Sequence, residues 1–488
     1  MTRRIILGGL AALALVPPLA SGAPLISQGA VRMGADAMLS RGVDGAGETV
    51  VILDEGFGGL DRSIALGELP TRDRMEVVTF DVANGLEGRS LLGGEIQHGT
   101  RMAELIHDVA PAARLVLVNY GTIDEFLQAV DWVIANRIPV VSHSNSFLEP
   151  PFDGTGRAAR AVDRADAAGV LWLNSAGNYA ERHWEGRAWP STTIPLARSG
   201  AQPLSFSLSW RPPGVAAEME LEGRRPDGAW EVLARHRDRN GWISLDAPGR
   251  DAELRLVVRQ TGGAPADLEL FSQSVRFGPL AAAEGSVPTP GDAASALTVG
   301  AVTWTGGPRV SYSSFGATDD GRAKPDLVAP TYVNSNPEWP GTAGTSAATA
   351  HAAGAAVLLR ARWRALGLQP TPAALRARLV STALDVGPPG VDAEHGAGLL
   401  RIDTSAPRVR TRLTRVAGRT RLRAWARDGG TVKRIEVTLD GRRLRARTAA
   451  RTTVTLPRVV SGRQRLIVQA EDMAGNVGRA SRWIRAGR

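Results

Sequence analysis

Between Gly45 and Asn178 the sequence alternates short apolar runs with amphipathic stretches, and this rhythm limits the fold more than any other feature. The runs TVVILD (49–54), MEVVTF (75–80), RLVLV (114–118), IPVVS (138–142) and GVLWL (169–173) are rich in β-branched residues. Continuous runs of that length are the pattern of strands buried on both faces. Between them, Met102, Leu105, Ile106 and Val109 share one helical face, and Ile123, Phe126, Leu127, Val130 and Ile134 share another. Strands that are apolar on both sides need a helical layer on each, so the chain is expected to build a doubly wound parallel α/β sheet. At 488 residues and 43% apolar content it is long enough to bury more than one core.

The rhythm changes after Trp189. Residues 190–290 carry alternating runs such as LSFSLSW, WEVLAR, AELRLVV and ADLELF between Pro, Gly and Asp turns, which predicts an antiparallel β domain inserted into the first fold. The α/β pattern resumes with ALTVGAV (296–302), and Thr371 with Pro372 signals the start of a last helix. From about Ser405 the chain reads as β again. The expected division is a signal peptide (1–23), a core in two parts (24–189 and 291–402), the insert (190–290) and a C-terminal β domain (403–488).

The beginning of the sequence carries its own message. Arg3 and Arg4 precede an apolar run from Ile5 to Val16, followed by prolines and small residues to Ala23. That is the layout of a cleavable export signal, too short and wrongly flanked for a membrane span. The chain is expected to be secreted or associated with the cell envelope, by the general route or by twin-arginine export. No later segment is long and apolar enough to be expected to cross a bilayer. The sequence has no cysteine, so disulfides, thiol chemistry and Cys-based metal sites are excluded.

Four polar residues stand where functional groups collect in such sheets, at the carboxyl ends of strands. Asp54 ends the first strand in VVILDEGFGG; His98 opens a helix in QHGTRMAELIHDVAP; Asn178 follows a strand in LNSAGN; Ser346 sits where a glycine-rich loop enters a small-residue helix, in GTAGTSAATAHAAGAAVLL. Taken singly, each has an ordinary structural reading as a turn residue, a surface histidine or a helix cap. Together they supply a nucleophile, a base to take its proton, a carboxylate to orient the base and a donor for a developing oxyanion.

The flanking sequences sharpen this. VVILDEGF resembles the aspartate strand of the subtilase family, HGT its histidine helix, SAGN its oxyanion asparagine and GTSAA its serine helix, in the chain order of that family. YSSFG (312–316), KPDLVAP (324–330) and His351 also match the pattern. The resemblance spans roughly residues 33–195 and 290–402. It implies a subtilisin-like α/β fold and a serine endopeptidase acting on polypeptides through an acyl-enzyme. By the same resemblance Ser346 is the nucleophile, His98 the general base, Asp54 its orienting carboxylate and Asn178 the oxyanion donor. The backbone N–H of Ser346 is a second donor.

The sequence also departs from the family. Glu55 follows Asp54 where Ser or Thr is usual, so its charge either raises the proton affinity of His98 or points to solvent. Ala350 replaces the usual proline before His351. The substrate-binding strand, often Ser-x-Gly-Gly, reads SHSNSF, which makes Ser142, Ser144 and Ser146 the candidate substrate-binding residues. The spacer before the first strand is too short for the usual folding prodomain, so unaided refolding is expected. No cofactor is expected. The insert resembles the antiparallel β-sandwich of some larger subtilases and could pack on the core, bind calcium or shape substrate access, but no metal-ligand spacing supports a metal.

Charge is unevenly spread. Residues 401–488 hold 22 arginines and Lys433 against six acidic residues, whereas the whole chain has a net charge of only +9. This stretch, with AEDMAGN, resembles bacterial immunoglobulin-like modules. It predicts attraction to an anionic cell-envelope polymer or lipid head group rather than to a specific nucleic-acid sequence. A solvated surface written with arginine is the plainer alternative. An adhesion or surface-binding protein with an inactive or narrowly specific core is the competing functional reading.

Overall fold

The five apolar runs form strands β1 (Thr49–Asp54), β2 (Met75–Thr79), β3 (Arg114–Asn119), β4 (Val140–His143) and β5 (Leu171–Ser175). The computed structural model describes residues 25–90, 94–188, 190–196, 200, 202–212, 215–261, 265–402, 405–428, 432–457, 462–472 and 476–485. The expected signal peptide therefore lies outside the described residues. Helices α1 (Gln28–Met33) and α2 (Ala35–Leu39) precede β1; α3 (Leu60–Leu66), α4 (His98–Val109), α5 (Ile123–Ala135) and α6 (Arg157–Ala167) lie between the strands. Thr122 and Glu125 form a reciprocal capping box that starts α5.

Among the described residues the insert supplies eight antiparallel strands: β6 (His183–Ala188), β7 (Ser191–Leu196), β8 (Leu204–Arg211), β9 (Ala216–Arg224), β10 (Trp230–Asp238), β11 (Trp242–Ala247), β12 (Leu254–Thr261) and β13 (Ala266–Ser272). They form two four-stranded sheets, ordered β10-β9-β12-β7 and β11-β8-β13-β6. Residues of both, including Phe206, Leu208, Leu221, Leu256 and Leu270, fill one core. Strand β6 pairs antiparallel with β13. Its sequence, HWEGRA, carries no apolar run to mark it as a strand, and its place follows from that pairing.

The chain then returns to the first sheet with β14 (Leu297–Thr303), makes the short pair β15 (Gly316–Ala317) and β16 (Ala323–Lys324), and adds β17 (Leu327–Thr331). The resulting parallel sheet has seven strands in the order β17-β14-β5-β4-β1-β3-β2. The apolar run MEVVTF predicts a strand buried on both faces, but as β2 it is the edge strand, with Met75 buried and the residues after it alternating between half-buried and exposed. Helices α7 (Thr345–Ala365) and α8 (Pro372–Ser381) follow, the latter capped by Thr371 as expected. One core holds Met102, Leu105, Ile106 and Val109 of α4 against the alanines of α7. The other places α5 and α6 on the opposite side through Phe126, Val130 and Val162. This is the doubly wound arrangement that the apolar runs predict.

Strands β18 (Arg408–Val416), β19 (Arg419–Arg427), β20 (Val432–Leu439), β21 (Arg442–Arg447), β22 (Arg451–Thr455), β23 (Arg463–Asp472) and β24 (Val477–Arg485) make the C-terminal β domain. Its sheets, β18-β19-β22 and β21-β20-β23-β24, close on Leu422, Ile435, Val437, Val454, Leu466 and Val468. No helix among the described residues is long and apolar enough to cross a membrane.

Candidate active site

Strand β1 is buried from Val50 onward and delivers Asp54 at its carboxyl end with 1% of its surface exposed. His98 starts α4 beside it. The His98 ring Nδ1 lies 2.7 Å from Asp54 Oδ2 and 2.9 Å from Oδ1, while the Glu55 backbone N–H donates to Oδ1 at 2.9 Å. Glycine at 99 permits this closeness. A Cβ there would stand 2.6 Å from the Phe57 ring and 2.9 Å from Asp54 Cβ. With Nδ1 committed to the carboxylate, Nε2 is left for a partner in the cleft.

Burial by itself lowers the proton affinity of His98, but the charge and hydrogen bond of Asp54, helped by the charge of Glu55, outweigh it and leave the imidazole pKa raised. Glu55 is raised too, first by desolvation and then by the Asp54 charge. Its side chain reaches solvent at the cleft mouth, which tempers that effect. Both alternatives for Glu55 thus hold in part: it is solvent-accessible, and its charge acts on His98.

Ser346 occupies the second position of α7, after Gly344 turns the chain with φ of 110°, a conformation that favours glycine. Two side chains from neighbouring segments pin that turn. The Gly344 N–H donates to the Tyr312 hydroxyl at 2.9 Å, and Thr331 Oγ1 donates to the Gly344 carbonyl at 3.1 Å. All residues from Thr345 to Leu359 are buried, so the helix runs through the middle of the fold and continues unbroken past Ala350. Ser346 Oγ donates to the Ser144 carbonyl at 3.3 Å rather than to His98. A staggered alternative at a single torsion is all that separates a serine hydroxyl from another partner, and such bonds are often long or misaligned before substrate binds.

His351, one turn on, belongs to the scaffold. Its Nδ1–H donates to the Ala347 carbonyl at 2.7 Å and its Nε2 accepts from Ser27 Oγ at 2.6 Å. Burial pushes its pKa down to about 4 and keeps it neutral. This contact fastens the segment before α1 to the helix that carries Ser346.

Asn178 approaches from the loop after β5. Its Oδ1 accepts from the Thr345 N–H at 3.0 Å and from Thr345 Oγ1 at 3.1 Å, which fixes the amide and leaves Nδ2 as a donor. The YSSFG segment braces this loop: Ser314 Oγ accepts from the Tyr179 N–H, and the Ser314 N–H donates to the Gly177 carbonyl. Near Nδ2 lies the first turn of α7, whose N–H groups have no partner within the helix.

The three serines of the candidate substrate strand separate. Ser144 and Ser146 line a cleft of about 250 Å³ together with Glu55, His98, Asn145, Asn178 and Ser346. Ser142 does not. It lies within β4, between β1 and β5, 1% exposed and with Oγ unpartnered. The last residue of this strand, His143, is buried and held by the Tyr120 hydroxyl at 2.8 Å and Asn174 Oδ1 at 2.7 Å. Burial lowers its pKa to about 4, so it is a neutral strut.

The sequence did not point to Tyr179, Arg182 or Gln273, all of which line the cleft. Tyr179 packs edge-on against Phe271 of β13 with ring centroids 5.6 Å apart, and Arg182 Nη1 donates to the Gln273 carbonyl at 2.8 Å. The insert thus furnishes one wall. A wider hollow of about 740 Å³ continues past Glu55 toward Asp81 and Arg89, bounded by Gln202, Ser205 and Ser274 of the insert. Among the described residues no group of three histidine or acidic side chains is arranged to hold a metal.

A model of the subtilase family matches residues 257–398, a span that contains Ser346. The fold is similar to that of the CspB protease of Clostridium perfringens, with a TM-score of 0.55 and 15% identity, covering 75% of this chain and 96% of that one. A prenylagaramide maturation protease, PagA, also aligns, with a TM-score of 0.42 and 13% identity over 76% of this chain and 95% of that one. Comparison with curated protein sequences gave no match. The family match over the serine helix and the similar overall fold together make the subtilase family the one this chain resembles.

Proposed function

We propose that the protein is an exported serine endopeptidase with Ser346 as nucleophile, His98 as general base and acid, Asp54 as the orienting carboxylate, and Asn178 Nδ2 with the Ser346 N–H as oxyanion donors. The observation that carries this reading is the Asp54–His98 pair at 2.7 Å, facing the same cleft as Ser346 at the N-terminus of α7. In the reaction, His98 Nε2 takes the Ser346 proton as Oγ bonds to the scissile carbonyl carbon. The C–N bond then breaks, and the imidazolium gives its proton to the departing amine. Water, deprotonated by the same nitrogen, releases the acyl group as a carboxylic acid and frees Ser346. Export rests on the layout of residues 1–23, and the C-terminal domain is read as the part that attracts an anionic polymer of the cell envelope.

The second reading, a binding protein on an inactive subtilase scaffold, draws on the Ser346 hydroxyl being held by the Ser144 carbonyl. A fluorophosphonate probe separates the two. Labelling of the native chain that disappears in Ser346→Ala and falls sharply in His98→Ala is expected. A native chain that stays unlabelled while folded would refute the peptidase.

A further inference from the structure

The smaller sheet of the C-terminal domain has one sign of charge. Strands β18, β19 and β22, with sequences RVRTRLTRV, RTRLRAWAR and RTTVT, contain nine arginines and no acidic residue. Alternation puts Leu422, Ala424, Ala426 and Val454 inside, and Arg408, Arg410, Arg412, Arg421, Arg423 and Arg427 on the exposed face. The register then sets Arg408 directly opposite Arg427 and Arg412 directly opposite Arg423. Trp425 stands between Arg410 on one side and Arg451 on the other.

Like charges facing each other across a ladder destabilise a sheet. Among the described residues none of these arginines forms an ion pair, whereas Lys433 and Arg434 on the other sheet share Glu471. The described acidic residues of the domain, Asp428, Glu436, Asp440, Glu471 and Asp472, all lie outside the three strands. A coding bias toward arginine accounts for the choice of basic residue. It does not account for the three strands holding no acid while Glu436, Glu471 and Asp472 lie on the other sheet and Asp428 and Asp440 follow the ends of β19 and β20.

We propose that this face is a binding site for an anionic polysaccharide. The guanidinium forks suit carboxylate or phosphate groups bidentately. Arg408, Arg410 and Arg412 along β18, and Arg419, Arg421 and Arg423 along β19, recur about every 7 Å, two residues apart, so a chain with regularly spaced charges can engage several together. The face is an open sheet with a shallow hollow of about 340 Å³ around Arg412, Arg423, Trp425, Arg427 and Arg451, a shape for a polymer lying across it. Trp425 offers an apolar plate for the C–H face of a sugar ring. Single-stranded nucleic acid fits less well, because it uses successive stacking platforms and these three strands contain one aromatic residue. The proposal deepens the reading of the C-terminal domain as a surface anchor, and it stands apart from the peptidase assignment.

The test uses the full chain with Ser346→Ala, so that binding is measured whether or not the native protein cleaves peptides. Binding to polygalacturonate is compared with uncharged dextran, a single-stranded oligonucleotide and phosphatidylglycerol vesicles, at low and high salt. The Arg412→Gln/Arg423→Gln pair and Trp425→Ala should each weaken polygalacturonate binding, the pair by roughly tenfold or more at low salt. Arg442→Gln/Arg443→Gln on the other sheet, with the same charge change, should have little effect. Relief of the like-charge pair should leave the thermal midpoint of the Arg412/Arg423 variant unchanged or raised, which separates lost binding from lost folding. Equal losses for the two pairs would reduce the site to net charge. Tighter binding of the oligonucleotide or vesicles, with the same dependence on Arg412 and Arg423, would assign the face to nucleic acid or lipid and overturn the proposal.

Discussion

At the residue scale, the unusual neighbour of Asp54 makes the site's pH response specific to this chain. In the proposed reaction His98 must be neutral to accept the Ser346 proton, and its pKa is raised despite the lowering effect of burial, through Asp54 and then Glu55. The acid limb of kcat/KM should therefore lie above the pH of an ordinary imidazole. Glu55→Gln removes one negative charge that stabilises the imidazolium, so the limb should move to lower pH. A pH–rate profile checks this, and an unmoved limb would mean that solvent screens Glu55 from the ring. Asn178 makes a second, independent claim. Because Thr345 holds its Oδ1, Nδ2 is presented without reorganisation. Asn178→Ala should lower kcat by roughly 10²- to 10³-fold with KM little changed. A larger effect on KM than on kcat would make Asn178 a ground-state binding residue instead.

At the scale of elements, the distance between His98 and Ser346 is set by how closely α4 and α7 pack. Gly354 of α7 faces Val109 of α4, and a Cβ there would lie 2.6 Å from Val109 Cβ, close to backbone that cannot yield. Gly354→Ala should separate the helices, costing about 1–3 kcal/mol and lowering kcat although the substitution is remote from the cleft. Thermal unfolding and steady-state kinetics read the two effects, and a stable variant with unchanged kcat would show the spacing to be set elsewhere. The same elements show what a sequence can reveal. β1, β3, β4 and β5 were legible because burial on both faces demands unbroken apolar runs. Asp54 and His98 were legible because each sits at the end of an element with a distinctive flank. β6 was not, because HWEGRA alternates and is fixed only by its partner β13. Ser142 looked equivalent to Ser144 and Ser146 because the end of β4 is invisible in SHSNSF. Arg182 and Gln273 meet across 91 residues of sequence, a proximity that no local pattern encodes.

At the scale of the whole molecule, an aromatic contact set links the insert to the loop that carries Asn178. Phe271 of β13 is 1% exposed and packs on Phe152, His183 and Tyr179, with ring centroids 5.0, 4.5 and 5.6 Å away. Tyr179 follows Asn178 in the chain, and both face the cleft. Phe152 and Leu148 extend the same cluster from the segment after β4. Removing the Phe271 ring should therefore do two things. Phe271→Ala should cost about 3–5 kcal/mol of stability through the cavity it leaves, and it should loosen the loop that aims the Asn178 amide. Destabilisation alone is separable from this coupling, because Leu256 is fully buried in the sandwich core away from that cluster. Leu256→Ala should lower the thermal midpoint by a similar order but leave kcat of the folded enzyme intact. Phe271→Ala should lower both, measured well below the midpoint of each variant. If the two substitutions prove alike, with kcat preserved in both, the sandwich is an independently packed neighbour of the cleft rather than a support for its oxyanion side.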